Sequence, residues 1–399
     1  MESLTGTDTY WKLLGQCAEC GKCTQTCPSL KNSGMSMGQI AEGLIAADAA
    51  SSNPQELVQN IIGNAPLYQA VRGCFLCTSC QAVCFADNDI SELIYAARKD
   101  FQELGLIPRD AWSSVQVDQE WDIFTAYRAI YGIGYPDLTR HIVNEYHEAE
   151  SDCEVAFFPG CSLAAYGPEL TREVFATIEQ IGGKTTLIDE CCGSPLRSAG
   201  FFDRAIALND RIVDEIAASG AKTVVFACPG CRNSVKAALA ARGLDVEAVN
   251  LASYLADHGF KPSKRVDPGS ISLARSCQDH DGTYLDGIRK LFGLTGSDPT
   301  VFTGCCGAGG AVSAFDPNKQ SSQVHRKLDQ VAEGQTLVSA CPTCTYTYAF
   351  DLMSAPRPIE NKNYLELLFE NQFDWNTVFY QLGAMWSGEY GPWLAQVFA

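Results

Sequence analysis

The sequence predicts an α+β multidomain chain: an α-helical N-terminal domain followed by two duplicated α/β units of Rossmann-like type. Three observations carry this reading. Two cysteine runs of one spacing, Cys17 to Cys27 and Cys74 to Cys84, are separated by stretches with helical periodicity. A five-cysteine pattern then occurs twice in the second half of the chain. Within each occurrence short β-rich runs alternate with helical ones, the pattern of βαβ units around a parallel sheet.

The 399 residues leave room for two or three domains. The balance of 29 Lys and Arg against 47 Asp and Glu gives a net charge of -18, which argues against a nucleic-acid grip or attraction to an anionic membrane surface. No run approaches the roughly 18 apolar residues needed to cross a bilayer. The opening MESLTGTDTYWK has neither a basic n-region nor an apolar h-region. The chain is therefore expected to be soluble, unsecreted and cytoplasmic. Of 19 cysteines, only Cys153 falls outside the patterns, and it reads as a small buried apolar residue. Clustered cysteines in a chain without an export signal point to metal or cluster ligation rather than disulfides.

Cys17, Cys20, Cys23 and Cys27 form CxxCxxCxxxC followed by Pro28, and Cys74, Cys77, Cys80 and Cys84 repeat the spacing. In this ferredoxin-type run three close thiolates each hold one corner of a [4Fe–4S] cubane, and the fourth serves the other cluster. One set is therefore Cys17, Cys20, Cys23 and Cys84, and the other Cys74, Cys77, Cys80 and Cys27. Zinc would call for paired CxxC units. Phe85 stands where the second run would carry Pro. Between the runs, MGQIAEGLIAAD, PQELVQNIIG and APLYQAVRG read as helices, and ISELIYAARKDFQELG as a closing amphipathic helix. Residues 1–106 are thus expected to be an α-helical two-cluster ferredoxin domain. Residues 107–152, rich in aromatics and mixed charge, read as a connecting segment packed across both domains.

In the second half Cys161, Cys191-Cys192-Gly193 and the CPGC of Cys228 and Cys231 are matched by Cys277, Cys305-Cys306-Gly307 and the CPTC of Cys341 and Cys344. The corresponding positions lie at offsets of 116, 114 and 113 residues. The expected units are 153–262 and 263–360. Strands such as EVAFFPG, KTTLIDE and TVVFACPGC alternate with helices such as PELTREVFATIEQIGG, and the cysteines follow strand ends, where open α/β sheets place ligands. Five thiolates exceed the need of a cubane or of a structural zinc, and an adjacent pair strains an ordinary cube, so clusters of unusual geometry are expected. Gly193 and Gly307 let the backbone come close and offer N–H groups to cluster sulfurs.

These CCG and CPxC motifs resemble the cysteine-rich CCG domain. Their fusion behind a two-cluster ferredoxin resembles the catalytic iron–sulfur subunit of heterodisulfide reductase in its fused C+B form, over residues 10 to 350. The resemblance implies that Cys161, Cys191, Cys192, Cys228 and Cys231 hold one noncubane [4Fe–4S] cluster, and Cys277, Cys305, Cys306, Cys341 and Cys344 another. It also implies that the pair cleaves a disulfide in one-electron steps. The intervals before the cysteine pairs are shorter than the family's, and SCQDHDG around Cys277 lacks the usual Pro-Cys-His run, which leaves the substrate open. The same architecture occurs in iron–sulfur subunits of anaerobic glycerol-3-phosphate, glycolate and lactate dehydrogenases. Two functions therefore stand: an enzyme subunit that reduces or forms a disulfide, and an electron relay without substrate chemistry.

No rival chemistry stands out. The glycines of CCGAGGAV lack GxGxxG spacing, so flavin is expected from a flavoprotein partner. His280 and His325 read as surface or packing residues rather than proton donors. The tail 361–399, with Trp375, Trp386 and Trp393, reads either as a wrap around the core or as a docking arm for a partner.

Overall fold

The computed structural model describes residues 4–107, 117–118, 122, 124, 127, 151–262, 266–295 and 299–388. Most of the expected connecting segment, and Trp393 of the tail, lie outside them. The chain forms two compact units. The first comprises Met1–Val115, Pro195–Phe202 and Gly307–Gln323; the second comprises Gln116–Ser194, Asp203–Cys306 and Val324–Ala399.

The first unit is helical, as expected: α1 (Thr7–Gln16), α2 (Lys22–Thr26), α3 (Pro28–Ser33), α4 (Met37–Ala49), α5 (Pro54–Gly63), α6 (Ala65–Arg72) and α7 (Ile90–Glu103). Local chemistry sets the helix starts. Pro28 occupies the first turn of α3 directly behind Cys27. A Ser36–Gln39 capping box opens α4, and the side chains of Asn53, Asn64 and Asp89 cap α5, α6 and α7. The inward faces bury Leu30, Ile40, Leu44, Ile61, Leu67, Val71, Leu93 and Phe101, each contributing about 1.5–3 kcal/mol by leaving water. Asp100 accepts from the Tyr10 hydroxyl and from the N–H groups of Thr5 and Gly6, tying the chain start to α7.

The second unit holds both sheets, while the repeat stretches Pro195–Phe202 and Gly307–Gln323 belong to the first. The first repeat runs β1 (Val155–Phe158), α8 (Gly160–Tyr166), α9 (Pro168–Gly182), β2 (Thr185–Leu187), α10 (Ser194–Ser198), α11 (Phe202–Ser219), β3 (Thr223–Phe226), α12 (Pro229–Ala241), β4 (Glu247–Asn250) and α13 (Leu251–Asp257). The second repeat runs β5 (Ile271–Ala274), α14 (Thr283–Leu291), β6 (Val301–Phe302), α15 (Val312–Phe315), α16 (Pro317–Leu328), β7 (Thr336–Ser339), α17 (Pro342–Ser354), β8 (Glu360–Asn363) and α18 (Tyr364–Leu368), followed by α19 (Trp375–Ser387). Both sheets are parallel, ordered β2-β1-β3-β4 and β6-β5-β7-β8, with Phe157 opposite Leu187 and Val225, and Leu273 opposite Val301 and Val338. The chain leaves β1 to one side and returns as β3 on the other. That makes the C-terminal ends of β1 and β3, and of β5 and β7, topological switch points.

One hydrophobic core runs through both repeats, joining Phe157 and Val225 to Leu273, Val338, Tyr284 and Tyr364. The helices α13 and α14 meet so closely that a β-carbon on Gly287 would lie 2.5 Å from the Ser253 nitrogen. The described part of the tail belongs to this core. β8 extends into it, Tyr364, Leu365, Phe373, Val378 and Phe379 are buried, and Trp375 packs on Tyr166, Tyr346 and Phe373. A free docking arm is therefore corrected for residues 361–379, because their aromatics fill the second unit's own interior.

Candidate metal centre

The two ferredoxin-type runs fold into matching loops. Glu19 (φ 51°) and Gly21 (φ 69°) in the first correspond to Leu76 (φ 52°) and Thr78 (φ 57°) in the second, all left-handed. Three of these carry a β-carbon, so each loop holds strain that the surrounding structure sustains. A cavity is lined by Cys17, Cys20, Cys23 and Cys84 together with Leu13 and Met37. The first loop and the last cysteine of the second run thus share one space. A β-carbon on Gly38 would lie 2.9 Å from Cys17 Sγ, so glycine is needed where α4 passes that thiol. Phe85, in the place of the missing proline, is 64% exposed, with the Lys22 ammonium 5.7 Å from its ring.

Cys27, Cys74, Cys77 and Cys80 come together separately. Burial and then the charges of Cys74 and Cys77 push the Cys27 thiol up to about 12. Burial, then Cys74, Cys27 and Cys77, push Cys80 up further. The Leu76 N–H donates to Cys74 Sγ at 3.4 Å.

In the repeats the cysteines gather at the switch points. Cys161 lies in the first turn of α8, Cys228 caps α12 and Cys341 caps α17, each just after a strand. Cys161, Cys191, Cys192, Cys231 and Cys228 form a continuous chain of thiols, each close enough to shift the ionisation of the next. Cys228 stands in the same relation to Cys341 of the second repeat, and Cys341 to Cys344. Cys344 in turn donates to Cys306 Sγ at 2.9 Å. Cys277 and Cys305 join Cys306 and Cys344 around the buried Tyr348. The neighbouring thiols, with burial, push Cys191, Cys231 and Cys344 well up, while Cys192 and Cys341 are held well below the ordinary thiol value by the thiols beside them.

This donor set fits iron–sulfur clusters. So many buried thiols cannot ionise together unless positive charge is placed among them, and iron supplies it. Among the described residues no three cysteine, histidine or carboxylate groups surround a single-ion position, and five thiols exceed a tetrahedral zinc site.

Two glycines act differently from the sequence expectation, or beyond it. A β-carbon on Gly193 (φ 71°) would lie 2.9 Å from the Ala205 carbonyl oxygen, so α11 packing itself demands glycine there; Gly307 is also left-handed, at φ 95°. Gly160 was not foreseen: at φ 75° its β-carbon would lie 3.0 Å from Cys231 Sγ. The signal was present, a glycine set directly before Cys161 at a strand end. Of the histidines, His280 is exposed and His325 pairs with Asp351 at 3.1 Å. Cys153 is buried in the apolar layer behind the first sheet.

Residues 14–88 match the 4Fe-4S dicluster domain family, and residues 155–236 and 277–348 match the cysteine-rich domain family CCG. The chain is 25% identical over 365 residues to a dihydromethanophenazine:CoB–CoM heterodisulfide reductase subunit of Methanosarcina barkeri, covering 83% of this chain and 87% of that one. The Methanosarcina mazei protein of the same name is 26% identical with the same coverage. A fumarate reductase (CoM/CoB) subunit of Methanothermobacter marburgensis is 24% identical over 350 residues, 84% of this chain and 67% of the relative. Among the described residues no helix is long and apolar enough to cross a membrane. With two cysteine-rich CCG repeats behind a 4Fe-4S dicluster domain, the chain is an iron–sulfur electron-transfer subunit similar over most of its length to these heterodisulfide reductase polypeptides.

Proposed function

We propose that this chain is the catalytic iron–sulfur subunit of a heterodisulfide-reductase-like complex, taking electrons from a flavoprotein partner to reduce a disulfide to two thiols or, in reverse, returning to that partner the two electrons released when two thiols form a disulfide. Cys17, Cys20, Cys23 and Cys84 hold one cubane [4Fe–4S] cluster, and Cys27, Cys74, Cys77 and Cys80 the other. Cys161, Cys191, Cys192, Cys228 and Cys231 hold one noncubane [4Fe–4S] cluster, and Cys277, Cys305, Cys306, Cys341 and Cys344 the second. When bound, these groups supply one-electron transfer and a metal partner for sulfur.

The observation that carries the reading is the approach of Cys228 to Cys341, one from each repeat, close enough for the two thiols to perturb each other's ionisation. It brings the two five-cysteine sets edge to edge, so the two sulfurs of one disulfide meet both sets at once. Tyr166 and Tyr346, stacked with ring centroids 4.8 Å apart beside Cys161 and Cys341, keep water from that side.

Anaerobically prepared protein should contain about sixteen irons per chain, four for each cysteine set. It should also turn over a thiol or disulfide with an artificial electron donor, and a thiol-trapped oxidised sample should give a paramagnetic signal broadened by ⁵⁷Fe. About eight irons, with zinc making up the balance, would remove the noncubane assignment. The similarity to a polypeptide of a fumarate reductase (CoM/CoB) favours a second reading, an electron relay serving a dehydrogenase or reductase partner. Full iron content with no thiol or disulfide turnover would select it.

A further inference from the structure

Arg98 on α7 is fully enclosed, at 0% exposure. Its guanidinium donates only short distances away: Nε to Val71 O at 3.1 Å, Nη2 to Arg72 O at 3.0 Å and Cys74 O at 2.6 Å, and Nη1 to Ser198 O at 2.8 Å and Gly310 O at 2.9 Å. A second cation lies in the same unit. The Lys319 ammonium donates to Ser29 Oγ at 2.8 Å, and a β-carbon on Gly73 would lie 2.1 Å from it. Ser29 stands two residues after Cys27, and Gly73 immediately precedes Cys74. Both charges therefore flank the thiol set of Cys27, Cys74, Cys77 and Cys80, and the Cys74 thiol feels both. Asp316, close to Lys319, offsets part of the latter's charge.

The other set sits differently. Cys20 is exposed, as is Lys22 beside it. Reducing a cluster adds one negative charge. A fixed cation stabilises that charge strongly where water is excluded and weakly where solvent screens it.

We propose that Arg98 and Lys319 raise the electron affinity of the cluster held by Cys27, Cys74, Cys77 and Cys80 above that of the cluster held by Cys17, Cys20, Cys23 and Cys84. An electron arriving at the exposed set is then drawn to the enclosed one. The inference rests on those two proposed ligand sets.

The test is an EPR-monitored reductive titration of anaerobically prepared full-length protein with dithionite and mediators. The cubane signals appear at separate potentials, and Cys20→Ser and Cys80→Ser identify which belongs to which set. Arg98→Gln weakens the electron affinity of the Cys80-dependent cluster at least tenfold, a fall of about 59 mV or more for one electron. Lys319→Gln lowers it by less, and both leave the Cys20-dependent signal where it was. Arg98→Lys keeps the charge without the planar fork and retains most of the wild-type potential. Should Arg98→Gln lose iron, Lys319→Gln, at a partly buried side chain, decides alone. An unchanged Cys80-dependent potential with full iron, or equal shifts of both signals, overturns the proposal. If Cys20→Ser and Cys80→Ser fail to affect different signals, the ligand sets themselves are wrong and the proposal falls with them.

Discussion

Ser162 Oγ and Thr343 Oγ1 lie 2.7 Å apart, the first one residue past Cys161 and the second one residue before Cys344. This bond fastens the first turn of α8 to the first turn of α17, the helices that begin beside the two facing cysteine sets. Ser162→Ala should leave the Thr343 hydroxyl short of a partner and cost about 1–3 kcal/mol, whereas the double variant Ser162→Ala/Thr343→Val, which removes both hydroxyls, should cost less than the single one. Thermal unfolding under anaerobic conditions checks the order. Iron content should stay at the wild-type level in both.

The left-handed positions of the two cysteine loops make a paired prediction. Gly21 and Thr78 occupy the same place in their runs, at φ 69° and 57°. Gly21→Val should cost about 1–2 kcal/mol, because a β-carbon strains that conformation. Thr78→Gly should fall within about 1 kcal/mol of wild type, since relief of strain opposes the added freedom of the unfolded chain. Unfolding midpoints of the loaded proteins distinguish the two.

Glu366 gives a pH dependence. Burial raises its pKa, although N–H groups of Asn363 and Phe373 and the charge of Lys362 work against the shift. A carboxyl whose folded pKa is raised binds its proton more tightly in the fold. Its contribution is therefore most favourable below the unfolded glutamate value and declines as pH rises through the folded one. The difference in melting temperature between Glu366→Gln and wild type should move in favour of the variant from pH 5 to pH 8. A difference independent of pH would show that the carboxyl ionises as it does in water.

The tail supplies another test. Deleting the residues after Asn371 removes Phe373, Val378 and Phe379 from the core, each worth about 1.5–3 kcal/mol, and strips Trp375 from Tyr166 and Tyr346. The truncated protein should melt lower, lose solubility and lose iron first from the set that includes Cys341 and Cys344. A truncation with full iron that merely sheds a partner would restore the docking-arm reading.

The helices, the parallel strands and the separation of cysteines into local runs were legible because each depends on neighbours in sequence. MGQIAEGLIAAD carries helical spacing wherever it folds, and TVVF reads as a buried strand without knowledge of its partners. Arg98 was not legible. Its acceptors at Ser198 and Gly310 lie 100 and 212 residues away, and a backbone carbonyl leaves no mark on the residue that carries it. The same limit applies to Gly309 and Gly310 in the CCGAGGAV stretch. β-carbons there would lie 2.3 Å from Phe75 O and 2.1 Å from Cys74 O, so they are small because another stretch of backbone lies against them.

The first unit is stitched from three separate stretches of chain, the last ending at Gln323, and this bears on biosynthesis. At ~5–20 residues per second a ribosome needs roughly 10–40 s to go from Val115 to Gln323. For most of that interval the nascent N-terminal stretch carries all eight of its patterned cysteines, while the Gly310 carbonyl that completes the enclosure of Arg98 and the lysine beside Cys74 have yet to be made. A cluster held at the enclosed set would therefore gain its full surroundings only late in the synthesis of the polypeptide, and until then those thiols would stand open to oxidation.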